Sequence, residues 1–175
     1  MIITETPRLL LRPMTAQDLP ALKRTLQDPI AMTAYEHAFS DEECLQWLDK
    51  MLTRYRVDGF GLWAVTLRET GAWIGQCGIT FQPWGDRTVH EVGYLFERAF
   101  WHHGYATEAA AACRDYAFNT LGVDEVFSII RDSNLPSQKV AERCGMSRRG
   151  VENKFYYGVH MPHYVYSIRR EEWEK

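Results

Sequence analysis

The segment from Thr88 to Arg131 constrains the fold most, because it reads as a strand, a helix and a second strand in succession. Thr88–Phe96 and Glu125–Arg131 have the apolar patterns of strands. Between them, an alanine-rich helix is predicted to start near Gly104 and to stop before Gly122. This order needs a parallel crossover, so the segment predicts a sheet with a helix packed on its face.

Similar patterns predict the rest of the fold. Further strands are expected at Arg8–Arg12, Leu62–Leu67, Trp73–Phe81, Ser147–Tyr156 and His163–Arg169, and further helices begin at Thr15, Ser40 and Asn134. The turn at Thr70-Gly71 joins two of these strands into a hairpin. The order predicts an α/β fold: one domain over residues 1–175, with a mixed, twisted sheet of six to seven strands flanked by about four helices.

Composition and charge exclude several classes of protein. With 46% hydrophobic and 25% charged residues, the chain has ordinary globular usage. The net charge of −3 and the absence of a Lys/Arg run argue against a nucleic-acid partner. No stretch reaches the ~20 apolar residues that span a bilayer, and the N-terminus lacks a secretory pattern. We therefore expect no membrane partner and a cytoplasmic location, with four reduced cysteines.

Small residues stand where the loop after Phe96 becomes the alanine-rich helix. Gly104 and Ala106 let backbone N–H groups approach a ligand, and the start of the helix adds roughly half a positive charge. These features predict a pyrophosphate site, although a glycine before an alanine-rich helix is often purely structural. The chain has no GxxxxGK[ST] motif and no GxGxxG after a strand, so ATP and NAD are poor candidates.

Five separated blocks of the sequence carry a family resemblance. The block GYLFERAFWHHGYATEA, together with Asn134–Ser137 and Glu142–Met146, resembles the GNAT superfamily, specifically its ribosomal-protein alanine N-acetyltransferases. The opening Thr6–Arg12 and the ending Tyr166–Trp173 are similar to the same branch. The resemblance covers nearly the whole chain, in the right order. It implies that the sheet splays apart between the strand ending at Phe96 and the next parallel strand.

The resemblance also implies acetyl-CoA as cosubstrate. Its pyrophosphate is expected on the backbone of His102, His103, Gly104, Tyr105, Ala106 and Thr107. Trp101 stands where the family has Arg or Gln, so binding should depend more on amides and the helix dipole. Leu95 and Phe96 match the strand residues that contact pantetheine, where a backbone N–H can meet the thioester carbonyl.

Two residues are candidates for the proton transfers. Glu91 matches an acidic position common in the family and would take the ammonium proton, through water; otherwise it is an exposed strand carboxylate. Many family members have a Tyr that protonates the thiolate, but Ala141 stands there. Ser137 is the substitute, and Asn134 would hold the pantetheine or the serine. Both residues also suit a purely structural role, because Ser137 lies in the first turn of a helix and Asn134 at its N-cap.

The resemblance implies direct transfer of an acetyl group to a primary amine, such as a protein N-terminus, in a ternary complex. An alternative is a small-molecule, polyamine or antibiotic acetyltransferase; another is a degenerate CoA-binding sensor. No metal is expected, because the histidines lack ligand spacing. Trp84, Tyr156 and Tyr157 either line the acceptor pocket or pack in the core. The chain is expected to be a monomer or a homodimer.

Overall fold

A computed structural model describes residues 1–156 and 158–175 of the chain. Its strands are β1 (Thr4–Glu5), β2 (Leu9–Arg12), β3 (Leu62–Leu67), β4 (Trp73–Trp84), β5 (Arg87–Phe96), β6 (Glu125–Arg131), β7 (Ser147–Tyr156) and β8 (Val159–Arg169). Its α-helices are α1 (Leu19–Leu26), α2 (Asp41–Val57), α3 (Tyr105–Tyr116), α4 (Leu135–Arg143) and α5 (Arg170–Trp173).

All eight strands belong to one sheet, in the order β1-β2-β3-β4-β5-β6-β8-β7. Neighbours are antiparallel except β5 and β6, which are parallel and joined through α3. The predicted mixed α/β sheet and its crossover are confirmed. The eight strands slightly exceed the predicted six to seven, and the five α-helices compare with about four predicted. The additional elements, Thr4–Glu5 and Arg170–Trp173, are too short to show a hydrophobic period.

The sheet opens between β5 and β6. β4 and β5 pair from Gly75 opposite Phe96 to Trp84 opposite Arg87, whereas β5 and β6 pair at Glu91 opposite Phe127. Beyond Glu91 the two parallel strands diverge, as the resemblance implied. A gap in the middle of the sheet therefore begins at Glu91.

Helices cover both faces of the sheet. α3 and α4 pack on one face, where Ala110, Cys113 and Val140 join Val92 and Phe96 in the main core. α1 and α2 pack on the other face, in a second cluster. Since successive strand residues point to opposite faces, Glu91 and Leu95 lie on the α2 face, while Val92 and Tyr94 lie on the α3 face.

Local signals set the helix boundaries. Ser40 Oγ accepts from the Glu43 N–H at 3.1 Å, and the Glu43 carboxylate accepts from the Ser40 N–H at 3.0 Å, so α2 begins with the expected capping box. Gly104 starts α3 at φ +80°, a left-handed conformation that favours glycine. No helix among the described residues is both long and apolar enough to cross a membrane.

Candidate active site

The turn before α3 leaves a run of backbone donors free. None of the amide N–H groups of residues 102–107 donates to another described residue, and the first bond of the helix runs from the Glu108 N–H to the Gly104 carbonyl at 3.1 Å. Free N–H groups at a helix start, with the positive end of the dipole behind them, are donors for an anion. The free N–H groups of residues 102–107 are therefore suited to bind a pyrophosphate.

The shape of this turn depends on two left-handed residues. His102 has φ +65° and Gly104 has φ +80°, on either side of His103. Left-handed residues within a turn direct successive N–H groups toward one concave side. Both histidine side chains are exposed, and His103 Nδ1 lies 2.7 Å from the Trp101 carbonyl oxygen. The histidines are thus placed to contribute main-chain donors.

Trp101 ties the turn to the end of β5. Its indole Nε1 donates to the Phe96 carbonyl at 2.9 Å, and its ring packs against the main core. The side chain that replaces the family's Arg or Gln is therefore occupied in fixing the loop. It contributes no charge to a phosphate.

Arg8 contacts the same turn from the other side, a contact that no local sequence pattern predicts. Its Nη1 donates to the His103 carbonyl at 2.9 Å, and its Nε donates to Glu108 Oε1 at 2.8 Å. The guanidinium lies over the Tyr105 ring, 4.4 Å from the ring centre. About a hundred residues of chain separate these groups, so no periodicity links them.

Main-chain groups of β5 face the gap at alternate residues. The Val92 carbonyl accepts from the Ser128 hydroxyl at 2.7 Å, and the Phe96 carbonyl accepts from Trp101. Strand alternation places the main chain of Tyr94 on the same edge and turns that of Leu95 toward β4. The Phe96 side chain is buried in the core and that of Leu95 is half-buried on the α2 face.

Glu91 lies where the gap begins. Its Oε2 accepts from the Ile129 N–H at 2.7 Å, so the carboxylate bridges β5 to β6 just where their pairing ends. Burial raises the pKa of Glu91, against the lowering effects of Lys154, the Ile129 N–H and Arg54. A half-buried carboxylate with a raised pKa is suited to accept a proton.

Ser137 and Asn134 lie at the start of α4. Asn134 Oδ1 accepts from the Ser137 N–H at 3.3 Å, which gives Asn134 the N-cap role expected of it. The half-buried Ser137 hydroxyl donates to no described residue. The sequence reading missed Tyr94, whose hydroxyl donates to the Ser137 carbonyl at 2.6 Å. Tyr94 therefore ties the first turn of α4 to β5 beside the gap.

The two catalytic candidates approach the gap from opposite faces. Glu91 belongs to the α2 face, whereas Ser137 is held by Tyr94 on the α3 face. A thioester lying in the gap could thus meet an incoming amine on one side and lose its thiolate on the other. No cluster of three or more His, Cys, Asp or Glu within the described part of the chain could hold a metal ion.

The surroundings of Glu91 are basic. Arg54 of α2 and Lys154 of β7 act electrostatically on Glu91, and Lys50 lies one turn before Arg54. None of these cations forms an ion pair within 4.0 Å with a described residue, although Asp58 and Glu91 both act electrostatically on Arg54. Burial withdraws the Arg54 guanidinium partly from water and thereby lowers its pKa.

The aromatic candidates for the acceptor pocket do not all bear on it. Trp84 packs on Phe127 at 5.6 Å between ring centres and borders a small core cluster. Its ring also lies beside Gly150, so it connects β4 to β7. Tyr157 lies outside the described residues, as does the side chain of Tyr156.

The chain is similar in sequence to known proteins. A family model described as an acetyltransferase (GNAT) domain matches residues 8–147. The chain is 37% identical to the uncharacterized protein YkkB of Bacillus subtilis (strain 168), over 81% of this chain and 83% of that protein. It is 33% identical to the FsC-acetyl coenzyme A-N(2)-transacetylase of Aspergillus fumigatus, over 96% of this chain and 76% of that protein.

Solved structures show the same fold. A GNAT-family acetyltransferase from Bacillus anthracis superposes with a TM-score of 0.81 at 26% identity, covering 98% of this chain and 99% of that one. The ribosomal L7/L12 α-N-protein acetyltransferase RimL, in complex with coenzyme A, superposes with a TM-score of 0.77 at 16% identity. That match covers 97% of this chain and 98% of RimL.

Proposed function

This chain belongs to the GNAT family of acetyltransferases, and from that premise we propose that it moves an acetyl group from acetyl-CoA directly onto a primary amine. One observation carries the proposal. The free amides of residues 102–107 lie at the start of α3, and the gap beyond Glu91 opens beside them. We also propose that residues 1–175 form one catalytic domain, because the strands of a single sheet run from Thr4 to Arg169.

The cosubstrate residues follow from this placement. The backbone of His102, His103, Gly104, Tyr105, Ala106 and Thr107 would hold the pyrophosphate. The pantetheine arm would enter the gap along the strand that carries Leu95 and Phe96, and Asn134 would border it from α4. Within that gap, the alternation of β5 makes the Tyr94 N–H the donor best placed for the thioester oxygen.

The reaction needs one new bond and one broken bond. The amine nitrogen attacks the thioester carbonyl carbon, the N–C bond forms, and the C–S bond breaks. Glu91 takes one proton from the ammonium, directly or through water, so that a neutral amine attacks, and later releases that proton to solvent. The second proton leaves the nitrogen as the amide forms and replaces the one that the Ser137 hydroxyl donates to the departing thiolate. The products are the N-acetylated amine and CoA, and no covalent bond to the enzyme is made.

The cysteines support a direct attack. All four are buried, and burial raises the pKa of Cys77 well above its usual value and that of Cys144 to about 11. A thiol of this kind is a poor nucleophile at neutral pH, because only the thiolate attacks. An acetyl-cysteine intermediate is therefore disfavoured.

The charges beside Glu91 bear on the acceptor. Arg54, Lys50 and Lys154, which form no ion pair within 4.0 Å with a described residue, would repel an acceptor with several positive charges, so a polyamine fits poorly. The same cations lower the pKa of an incoming ammonium, which favours its deprotonation. We propose a monoamine acceptor, either a protein N-terminus, as for the α-N-protein acetyltransferase RimL, or a small molecule.

A thiol-release assay tests the proposal against the sensor alternative. The purified chain is given acetyl-CoA and a panel of N-terminal peptides, small monoamines and spermidine, and released CoA is measured with a thiol reagent. We expect acetylation of at least one monoamine and weaker use of spermidine. Tight CoA binding without turnover of any amine would contradict the enzyme and favour a sensor.

A further inference from the structure

Arg8 lies against the phosphate turn although it belongs to the chain just before β2. Three contacts fix its guanidinium there: Nη1 donates to the His103 carbonyl, Nε donates to Glu108, and the group lies over the Tyr105 ring. Each contact reaches a residue within or directly after residues 102–107. The position of Arg8 and the shape of the turn are therefore linked.

Hydrogen bonds to Glu108, supported by Thr6, fix the orientation of Arg8. Glu108 Oε2 accepts from the Arg8 N–H at 3.1 Å and from the Thr6 hydroxyl, while that hydroxyl accepts from the Leu9 N–H at 2.9 Å. Burial acts to raise the pKa of Glu108, but the hydrogen bonds from Thr6 and Arg8 lower it below its usual value. Glu108 is thus a stable anion that holds Arg8 in one geometry.

One nitrogen of Arg8 remains free at the turn. Nη2 donates to no described residue, and it lies 3.4 Å from the place where a Cβ on Gly104 would stand. The side chain is 46% exposed, so Nη2 is open to a ligand. Free guanidinium N–H groups beside free backbone N–H groups form a combined set of donors for phosphate oxygens.

The inference rests on the proposed function. Trp101 occupies the position from which the family's Arg or Gln would meet the phosphates, and its indole is bonded to Phe96. Arg8 brings a guanidinium to the same turn from a distant segment. We propose that Arg8 binds the pyrophosphate of acetyl-CoA through Nη2 and positions the turn through His103.

The test compares two acetyl donors. Acetyl-CoA carries the pyrophosphate, whereas S-acetyl-pantetheine presents the same thioester without phosphates. Arg8→Ala should raise KM for acetyl-CoA about ten- to a hundredfold, as expected for a lost charge-assisted hydrogen bond. It should leave kcat, and kcat/KM for S-acetyl-pantetheine, unchanged. Arg8→Lys keeps the positive charge but lacks the planar set of guanidinium donors, so it should recover only part of the affinity for acetyl-CoA.

Arg68→Ala is the matched control. Arg68 also binds the N-terminal segment, since its Nη1 donates to the Thr6 carbonyl at 2.9 Å, but it has no contact with the turn. It should leave both donors unaffected. The inference is overturned if Arg8→Ala weakens both donors equally, or if acetyl-CoA kinetics are unchanged. A wild-type chain that uses neither donor would instead contradict the proposed function.

Discussion

The folded protein disfavours the ionised form of the Glu91 carboxyl. Its pKa is raised because burial disfavours the charged form more than Lys154, the Ile129 N–H and Arg54 favour it. When the pKa of a group is higher in the folded state, the group contributes its full stability at pH values below its pKa in the unfolded chain. This contribution is lost as the pH rises through the folded-state pKa. At neutral pH, ionised Glu91 therefore lowers the free energy of unfolding while it serves as a base.

Replacement of Glu91 should separate activity from stability. Glu91→Gln keeps an oxygen that can accept from Ile129 but cannot take a proton. We expect kcat/KM to fall roughly a hundredfold or more and the acid limb of the pH–rate profile to disappear. Thermal melts should show the variant more stable than wild type at pH 7, with the difference vanishing below pH 4.5, the ordinary Glu value. Equal activity across the pH range would remove Glu91 from the mechanism.

The buried thiols give a second prediction at the residue scale. With a pKa of about 11, Cys144 is ionised in roughly one molecule in ten thousand at pH 7. N-ethylmaleimide should therefore leave activity unchanged in the folded protein while labelling all four cysteines after denaturation. Inactivation of the native protein at the rate of a free model thiol would contradict this account.

The roles of some residues could be predicted from the sequence and those of others could not. The roles of Gly104 and Asn134 at helix starts were predictable, because local sequence preferences favour such residues there. Arg8 and Tyr94 do not, since their partners His103 and Ser137 come close only after the sheet has formed. The same reason hid the burial of Glu91, which depends on Ile129 of a neighbouring strand.

At the scale of elements, the start of α4 matters most for the leaving group. Tyr94 holds the Ser137 carbonyl and Asn134 caps the helix, while the Ser137 hydroxyl donates to no described residue. Burial raises the pKa of Tyr94 well above its usual value, and its proton is already donated to Ser137. Tyr94 is thus better suited to hold α4 than to supply a proton.

Ser137→Ala tests the role of this turn. The Ser137 N–H that Asn134 caps is retained, so α4 should keep its start and the melting temperature should change little. We expect kcat to fall about tenfold or more, with little change in KM for acetyl-CoA. Because thiolate is a tolerable leaving group, a residual rate should remain. An unaltered kcat would exclude Ser137 as the proton donor.

Element boundaries were predictable where local chemistry sets them. Ser40 and Glu43 form the expected capping box of α2, and β3 and β6 have the predicted ends. β8 begins at Val159, before the predicted His163, because pairing with β7 extends the hairpin beyond its apolar part. Cross-strand pairing of this kind is a tertiary effect that a hydrophobic period does not record.

At the scale of the molecule, the cosubstrate would join parts that the sheet leaves apart. The turn before α3 and the start of α4 lie on either side of the gap between β5 and β6. A ligand that binds only the folded chain stabilises it by about 2.7 kcal/mol at a hundred times its Kd. We therefore expect CoA at that concentration to raise the melting temperature by roughly 5–10 °C. ATP, which lacks the pantetheine arm, should give a smaller shift.

The binding of CoA to two glycine variants tests the central claim most directly. Gly104→Glu places bulk and negative charge at the phosphate turn, whereas Gly122→Glu introduces the same residue at φ +69°, at the far end of the same helical segment. Both carry the left-handed strain of about 1–2 kcal/mol. In calorimetric titrations with CoA, we expect Gly122→Glu to bind like wild type and Gly104→Glu to show no binding. Equal affinity of the two folded variants for CoA would contradict the assignment of the turn.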